Sequence, residues 1–299
     1  MAVRRSDLYL PANNEHMILK APTLGADVIT LDMEDSVPPA EKEVARQMVK
    51  KHIKEMSVTG SEAWVRINAW DTDLTLADLD AVVVDGLDGI TLPKCSGLAD
   101  VRRLDDEITR LEKLRGLPAG KIKIAILIET ALGVLTVDES VGGSSRLVAV
   151  IFGAVDYTRD MRVTRTDKAD EQFYARAKIG VAARAHGLVA EDAPFPNYSD
   201  VEAFEANCRS GAQLGFEGRQ IINPRQIAAA HKVYSPDPAR VEWAKKITKV
   251  FEEEGLAKGS ASVGFEGSMI DIPVYRDGLN ILARQKEIEE KEAARGAKA

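Results

Sequence analysis

Short apolar runs rich in Val, Ile and Leu alternate along the chain with longer segments whose apolar residues recur at helical spacing. This rhythm marks a parallel sheet covered by helices. Eight runs read as strands: residues 7 to 11, 27 to 34, 63 to 68, 89 to 94, 123 to 129, 147 to 153, 187 to 192 and 219 to 224. Between the second and third, EKEVARQMVKKHIKEM places Val44, Met48, Val49, Ile53 and Met56 on one side of a helix, with Lys and Glu on the other. LADVRRLDDEITRLEKL precedes the fifth strand, and DEQFYARAKIGVAARAHG precedes the seventh, where Gly187 is the helix stop. Eight strands with intervening helices predict an α/β chain folded as a (β/α)8 TIM barrel, with a doubly wound open sheet as the alternative.

The rhythm ends near residue 235, at SPDP. Residues 1–235 therefore read as the barrel and 236–299 as a C-terminal helical extension. The extension holds a helix at ARVEWAKKITKVFEEEG, a Gly/Ser-rich link at KGSASVGFEGS, and a tail from Arg284 whose alternating Glu and Lys read as a solvated helix.

Composition narrows the classes. With 299 residues, 45% hydrophobic and 29% charged, the chain has ordinary globular usage. Its 40 Lys+Arg against 47 Asp+Glu give a net charge of -7, so neither nucleic acid nor an anionic membrane is expected as a partner. The two cysteines, Cys95 and Cys208, lie far apart, which argues against a disulfide framework or a thiolate zinc site and fits a reducing, cytoplasmic setting. No apolar stretch precedes Pro11, and IAILIETALGVL is broken by Glu129, so neither a signal peptide nor a membrane span is expected.

In such a barrel the active site lies at the C-terminal ends of the strands, so polar residues that close apolar runs are the candidates. Asp32, Glu34 and Asp35 close the second, Arg66 and Asn68 the third, Glu129 the fifth, and Asp156 follows the sixth. Glu129 ends a run of buried character and needs compensation. Two carboxylates on adjacent strands, Glu129 and Asp156, suit Mg²⁺, which takes one or two protein carboxylates; an ion pair of Glu129 with Arg66 is the alternative. The four histidines, His16, His52, His186 and His231, are scattered and read as surface or helix-end residues. PANNEHMILKA at the end of the first strand reads either as an anion-binding helix start, with Lys20 one turn beyond His16, or as a helix capped by Asn13 or Asn14.

The ordered succession LYLPANN, KAPTLGADVITLDMEDSV, KEVAR, VRIN, LPK, IET, FGAVDY, AARAHGLVAEDAPF, LGFEGRQIINPRQI and GSMIDIPV resembles the citrate lyase β-subunit-like acyl-CoA lyases of the HpcH/HpaI aldolase superfamily. These include malyl-CoA, β-methylmalyl-CoA and citramalyl-CoA lyases. The resemblance implies a barrel that binds Mg²⁺ through Glu129 and Asp156, with Arg66 holding the small acid beside the metal. It assigns Tyr9, the loop from Asn13 to His16, Lys20, Ile222 and Asn223 to CoA. Asp32, Glu34 and Asp35 become groups that hold metal-bound water or Arg66.

The resemblance also makes Asp271 of GSMID the acid/base residue, supplied across a subunit boundary in a homo-oligomer, a trimer or hexamer. Because the isolated β subunit tends to lack this segment, its presence points to a free-standing acyl-CoA enzyme. Val155, Asn223 and His16 depart from the common pattern, the first beside the metal and the others on the CoA side. The implied reaction is cleavage of a 3-hydroxyacyl-CoA to acetyl- or propionyl-CoA plus glyoxylate or pyruvate. Hydrolysis of malyl-CoA as a thioesterase, and a non-catalytic acyl-CoA-binding barrel, are the alternatives.

Overall fold

The computed structural model describes residues 2–166 and 168–297. Eight strands form a closed barrel: β1 (Ser6–Pro11), β2 (Val28–Asp32), β3 (Glu62–Arg66), β4 (Gly89–Leu92), β5 (Lys123–Ile128), β6 (Leu147–Phe152), β7 (Val189–Asp192) and β8 (Gly218–Ile221). Each pairs in parallel with the next, and β8 returns to β1 in the register Ser6↔Arg219, Asp7↔Gln220, Leu8↔Ile221. That last pairing closes the sheet and excludes the open, doubly wound arrangement.

The strands are buried on both faces, which is why they read as unbroken apolar runs. Outward residues such as Leu8, Ile29, Leu31, Val65, Ile90, Ile126 and Val150 pack beneath the helices. Inward ones, Val28, Trp64, Ala125, Leu127, Ala149, Ile151 and Val189, form an inner cluster.

Around the barrel run α1 (Glu15–Lys20), α2 (Lys42–Met56), α3 (Thr75–Val82), α4 (Leu98–Arg115), α5 (Ala131–Ser140), α6 (Ala154–Asp160), α7 (Phe173–Ala185), α8 (Val201–Gln213) and α9 (Ile227–Tyr234). The α2 stripe is rotated from the expected one. Val44 is exposed, Met48 is half-buried, and the covered face runs through Ala45, Val49, His52, Ile53 and Met56. His52 is thus no surface residue: its Nε2 meets Glu15 Oε1 at 2.9 Å and its Nδ1 meets Glu55 Oε2 at 3.1 Å. His231 is partly buried against Ser6 Oγ at 2.8 Å, whereas His186 closes α7 before Gly187, whose φ of 68° ends the helix.

The chain divides into two compact units, the barrel through Tyr234 and the segment Ser235–Ala297. In the second, α10 (Pro238–Val250) packs with α11 (Ile272–Gly296), and Ile247, Phe251 and Ile270 form its core. The Gly/Ser-rich stretch is not a plain link. It pairs as an antiparallel hairpin, β9 (Ser262–Phe265) with β10 (Ser268–Asp271). Glu266 and Gly267 take the turn with φ of 47° and 79°, the two positive values of a twist-matched two-residue turn. Among the described residues, no helix is long and apolar enough to cross a membrane.

Candidate metal and substrate site

At the C-terminal mouth of the barrel a cavity of about 460 Å³ is lined by Tyr9, Asp32, Asp35, Arg66, Glu129, Asp156 and Ile222, among others. Glu129 follows β5 directly and is 2% exposed. Its Oε1 accepts the backbone N–H of Lys94 at 2.8 Å. Gly153, at the end of β6, leaves room for it: a Cβ there would lie 2.5 Å from Glu129 Cβ and 2.7 Å from Oε2. Asp156 lies in the first turn of α6 with its side chain 16% exposed. The buried Oδ1 accepts no well-formed hydrogen bond among the described residues, although Arg159 one turn on meets it as an ion pair.

Burial, reinforced by the charges of Glu34 and Asp156, pushes the Glu129 carboxyl up to about 8. Such a shift marks a carboxylate that a cation would stabilise. Among the described residues, no group of three or more His, Cys, Asp or Glu forms a ready metal cage. The donors present are two hard oxygens at an open mouth, which fits Mg²⁺ with water and substrate completing the shell and does not fit a closed zinc site.

Arg66 does not pair with Glu129. Its Nε and Nη2 donate to the two oxygens of Asp32 at 2.7 Å each, and Nη1 meets Glu34 Oε2 at 2.8 Å. The ring of Tyr9 lies 5.5 Å beneath the guanidinium. Asp32, with a second duty to the backbone N–H groups of Glu34 and Ser36, is held low mainly against burial by Arg66. The expected ion-pair alternative for Glu129 is therefore filled by other carboxylates, and Glu129 keeps its unmet demand for positive charge. Asp35 is exposed at the rim.

Two lysines escaped the sequence reading. Lys94, in LPK just past β4, reaches Glu34 Oε1 with Nζ at 3.0 Å while its backbone serves Glu129. It does so at φ 51°, a strained value for a non-glycine residue. Lys42, the first residue of KEVAR, is buried and donates to the carbonyls of Met33 and Glu34 at 2.7 and 2.6 Å and to Asn68 Oδ1 at 2.8 Å. It pins the loop that carries Glu34. A cation closing a strand was the available signal for Lys94; Lys42 was marked only by its place in KEVAR, with no role attached.

The remaining candidates are spread more widely. Tyr9 and Ile222 line the cavity, and Met17 joins them. Asn14 caps α1 by accepting the N–H of Met17 at 3.1 Å, and His16 and Lys20 are exposed on that six-residue helix. Asn223 spends its side chain on the N–H of Arg225 at 3.1 Å. Asp271, in the second unit, ends β10 and caps α11 by accepting the N–H of Val274 at 3.1 Å.

Fold and site together define a (β/α)8 barrel whose mouth sets two carboxylates, Glu129 and Asp156, beside the Arg66 guanidinium. The chain matches HpcH/HpaI aldolase/citrate lyase over residues 5–224 and belongs to that family. It is similar to the citrate lyase subunit beta of Leuconostoc mesenteroides subsp. cremoris, 39% identical over 272 residues that cover 91% of this chain and 90% of that one. It is 31% identical to the L-malyl-CoA/beta-methylmalyl-CoA lyase of Rhodobacter capsulatus, with 96% and 95% covered. The crystal structure of CitE from Mycobacterium tuberculosis in complex with magnesium, acetoacetate and coenzyme A superposes with a TM-score of 0.76 at 28% identity, covering 94% of this chain and 97% of that one. Since a citrate lyase β subunit matches so much of this chain, the length of the match does not separate a free-standing acyl-CoA enzyme from a β subunit.

Proposed function

We propose that the chain is a Mg²⁺-dependent carbon-carbon lyase acting on a 3-hydroxyacyl-CoA: malyl-, β-methylmalyl- or citramalyl-CoA. The observation that carries this is Glu129, buried, raised and paired with no cation among the described residues, in the same cavity as Asp156. The magnesium, acetoacetate and coenzyme A bound to the CitE relative support the same ligand classes here.

Cleavage breaks the bond between the thioester's α-carbon and the hydroxyl-bearing carbon. The alcohol proton leaves, the alcohol becomes the carbonyl of glyoxylate or pyruvate, and the electron pair stays on the α-carbon until a proton arrives to complete acetyl- or propionyl-CoA. Glu129 and Asp156 would hold Mg²⁺, which when bound acts as a Lewis acid on the developing carbonyl oxygen. Arg66, fixed by Asp32 and Glu34, turns its remaining N–H groups to the keto acid and stabilises negative charge. Tyr9, His16, Lys20, Ile222 and Asn223 are the groups proposed to take the CoA moiety. Asp271 of a neighbouring chain in a trimer or hexamer is the proposed proton carrier for the α-carbon. Incubating the three acyl-CoA esters with Mg²⁺ and following glyoxylate and pyruvate tests the assignment; free CoA without keto acid would mark a thioesterase instead.

Arg66→Lys keeps the charge yet cannot span Asp32 and Glu34 as the planar fork does. We expect turnover to drop about 100-fold, comparable with loss of one transition-state donor, while Mg²⁺ affinity changes little. Steady-state kinetics with calorimetry checks this. Turnover near wild type would make Arg66 a purely structural residue.

A further inference from the structure

Past the end of β4, Lys94 sits at φ 51°, in the left-handed region that a residue with a side chain enters only at a cost. Its neighbours hold it there. Ser96 Oγ donates to the Lys94 carbonyl at 3.0 Å, and Asp100 Oδ2 accepts the Ser96 N–H at 2.8 Å. The N–H of Cys95 reaches the carbonyl of Leu127 on β5 at 3.2 Å. Glycine would take this angle without strain, so an outlier fixed by its surroundings points to a use for the side chain.

The bend sends the two ends of one residue to different partners. The backbone N–H of Lys94 goes to Glu129 Oε1 at 2.8 Å. Nζ meets Glu34 Oε1 at 3.0 Å, and Glu34 Oε2 meets Arg66 Nη1 at 2.8 Å. Each oxygen of the buried Glu34 carboxylate thus faces its own cation. Arg66 spends Nε and Nη2 on Asp32. Glu34 and Lys94 are not among the described residues that line the cavity, whereas Arg66 and Asp32 are. The ammonium therefore stands behind the guanidinium.

The charges of these four side chains show what the ammonium does. Arg66 alone against Asp32 and Glu34 is one cation against two carboxylates; with Lys94 the directly paired groups balance, two against two. The carboxylate end of a malyl or citramalyl group is itself an anion. Without the ammonium, the excess negative charge would repel that end and draw the guanidinium back toward Glu34.

We infer that Lys94 is a positioning residue for Arg66: acting through Glu34, its ammonium leaves the guanidinium available to the substrate carboxylate. This role rests on the lyase reading.

Lys94→Met removes the ammonium at similar length, and Lys94→Gly removes it while fitting the left-handed turn. In both, kcat/KM for whichever of the three esters wild type cleaves should fall about 10-fold or more, as is usual for loss of an outer partner. By calorimetry Mg²⁺ affinity should weaken by no more than about threefold, because the N–H to Glu129 remains and Mg²⁺ loses only an outer charge. The glycine chain should melt no lower than the methionine chain yet lose as much activity. Lys94→Arg should return kcat/KM to within about threefold of wild type, since a single ion pair asks only for the cation. With Glu34→Gln already in place, Lys94→Met should cost less than about threefold further, because the carboxylate it answers is gone.

Full activity in Lys94→Met, a loss that Lys94→Arg does not restore, or losses that multiply in the double variant would each overturn the inference. So would failure of both Lys94→Met and Lys94→Gly to fold, which would make Lys94 a stability residue. A wild-type chain that cleaves none of the three esters sinks the lyase reading and this role with it. Cleavage by wild type and equally by Lys94→Met sinks the role alone.

Discussion

Glu129→Gln and Asp156→Asn chains are each expected to fold, to bind CoA, and to lose both Mg²⁺ and cleavage. Replacement of even an outer partner of a metal ligand costs roughly 10- to 100-fold in affinity, so loss of a ligand should weaken Mg²⁺ by more than about 100-fold. Folding should survive because the glutamine oxygen can still accept the Lys94 N–H that Glu129 now takes at 2.8 Å. The substitution also replaces a buried carboxyl, raised to about 8 chiefly by burial, that neither Arg66 nor Lys94 pairs with directly through its side chain among the described residues. Calorimetry with Mg²⁺ alone and melting with and without Mg²⁺ separate the effects: wild type should gain stability from the ion and the variants should not. Wild-type affinity in both variants would remove these residues from the metal.

The second large effect is expected at Asp271. The structure adds a constraint on how it is tested, since this carboxylate caps α11 through the N–H of Val274. Alanine would confound lost chemistry with a lost cap worth about 1 kcal/mol. Asparagine caps a helix as well as aspartate and cannot carry the proton, so Asp271→Asn should keep the fold, Mg²⁺ and CoA while turnover falls on the order of 100- to 10,000-fold. If the residue serves a neighbour's barrel, co-assembled Asp271→Asn and Glu129→Gln chains should regain part of the activity, because some sites then hold both intact residues. Mixed oligomers that form and stay inactive would place Asp271 within its own chain or outside the reaction.

All eight strands were legible because each is buried on both faces and so appears as an apolar run, ended by the polar residue that emerges at the mouth. That rule found Asp32, Arg66, Glu129 and Asp156. What it could not find was how they pair. Arg66 had several carboxylates within plausible reach, and only the β2–β3 register, Asp32↔Arg66, decides for Asp32 over Glu129. Lys94 owes its role to a left-handed backbone angle, and Lys42 to three acceptors that converge on its ammonium, neither of which has a local signature. His52 is buried because Glu15, 37 positions away, meets it. The hairpin at 262–271 was hidden by its Gly/Ser content, which reads as a link until Glu266 and Gly267 are seen to turn it.

The most direct test of the account runs the reaction in the joining direction. Acetyl-CoA or propionyl-CoA is mixed with glyoxylate or pyruvate, with Mg²⁺ or with a chelator, and the products are read by mass spectrometry. A 3-hydroxyacyl-CoA with the summed mass of both reactants, formed with Mg²⁺ and absent with the chelator, is the predicted result. Free CoA as the sole product, or a condensation product whose yield ignores the chelator, would contradict it.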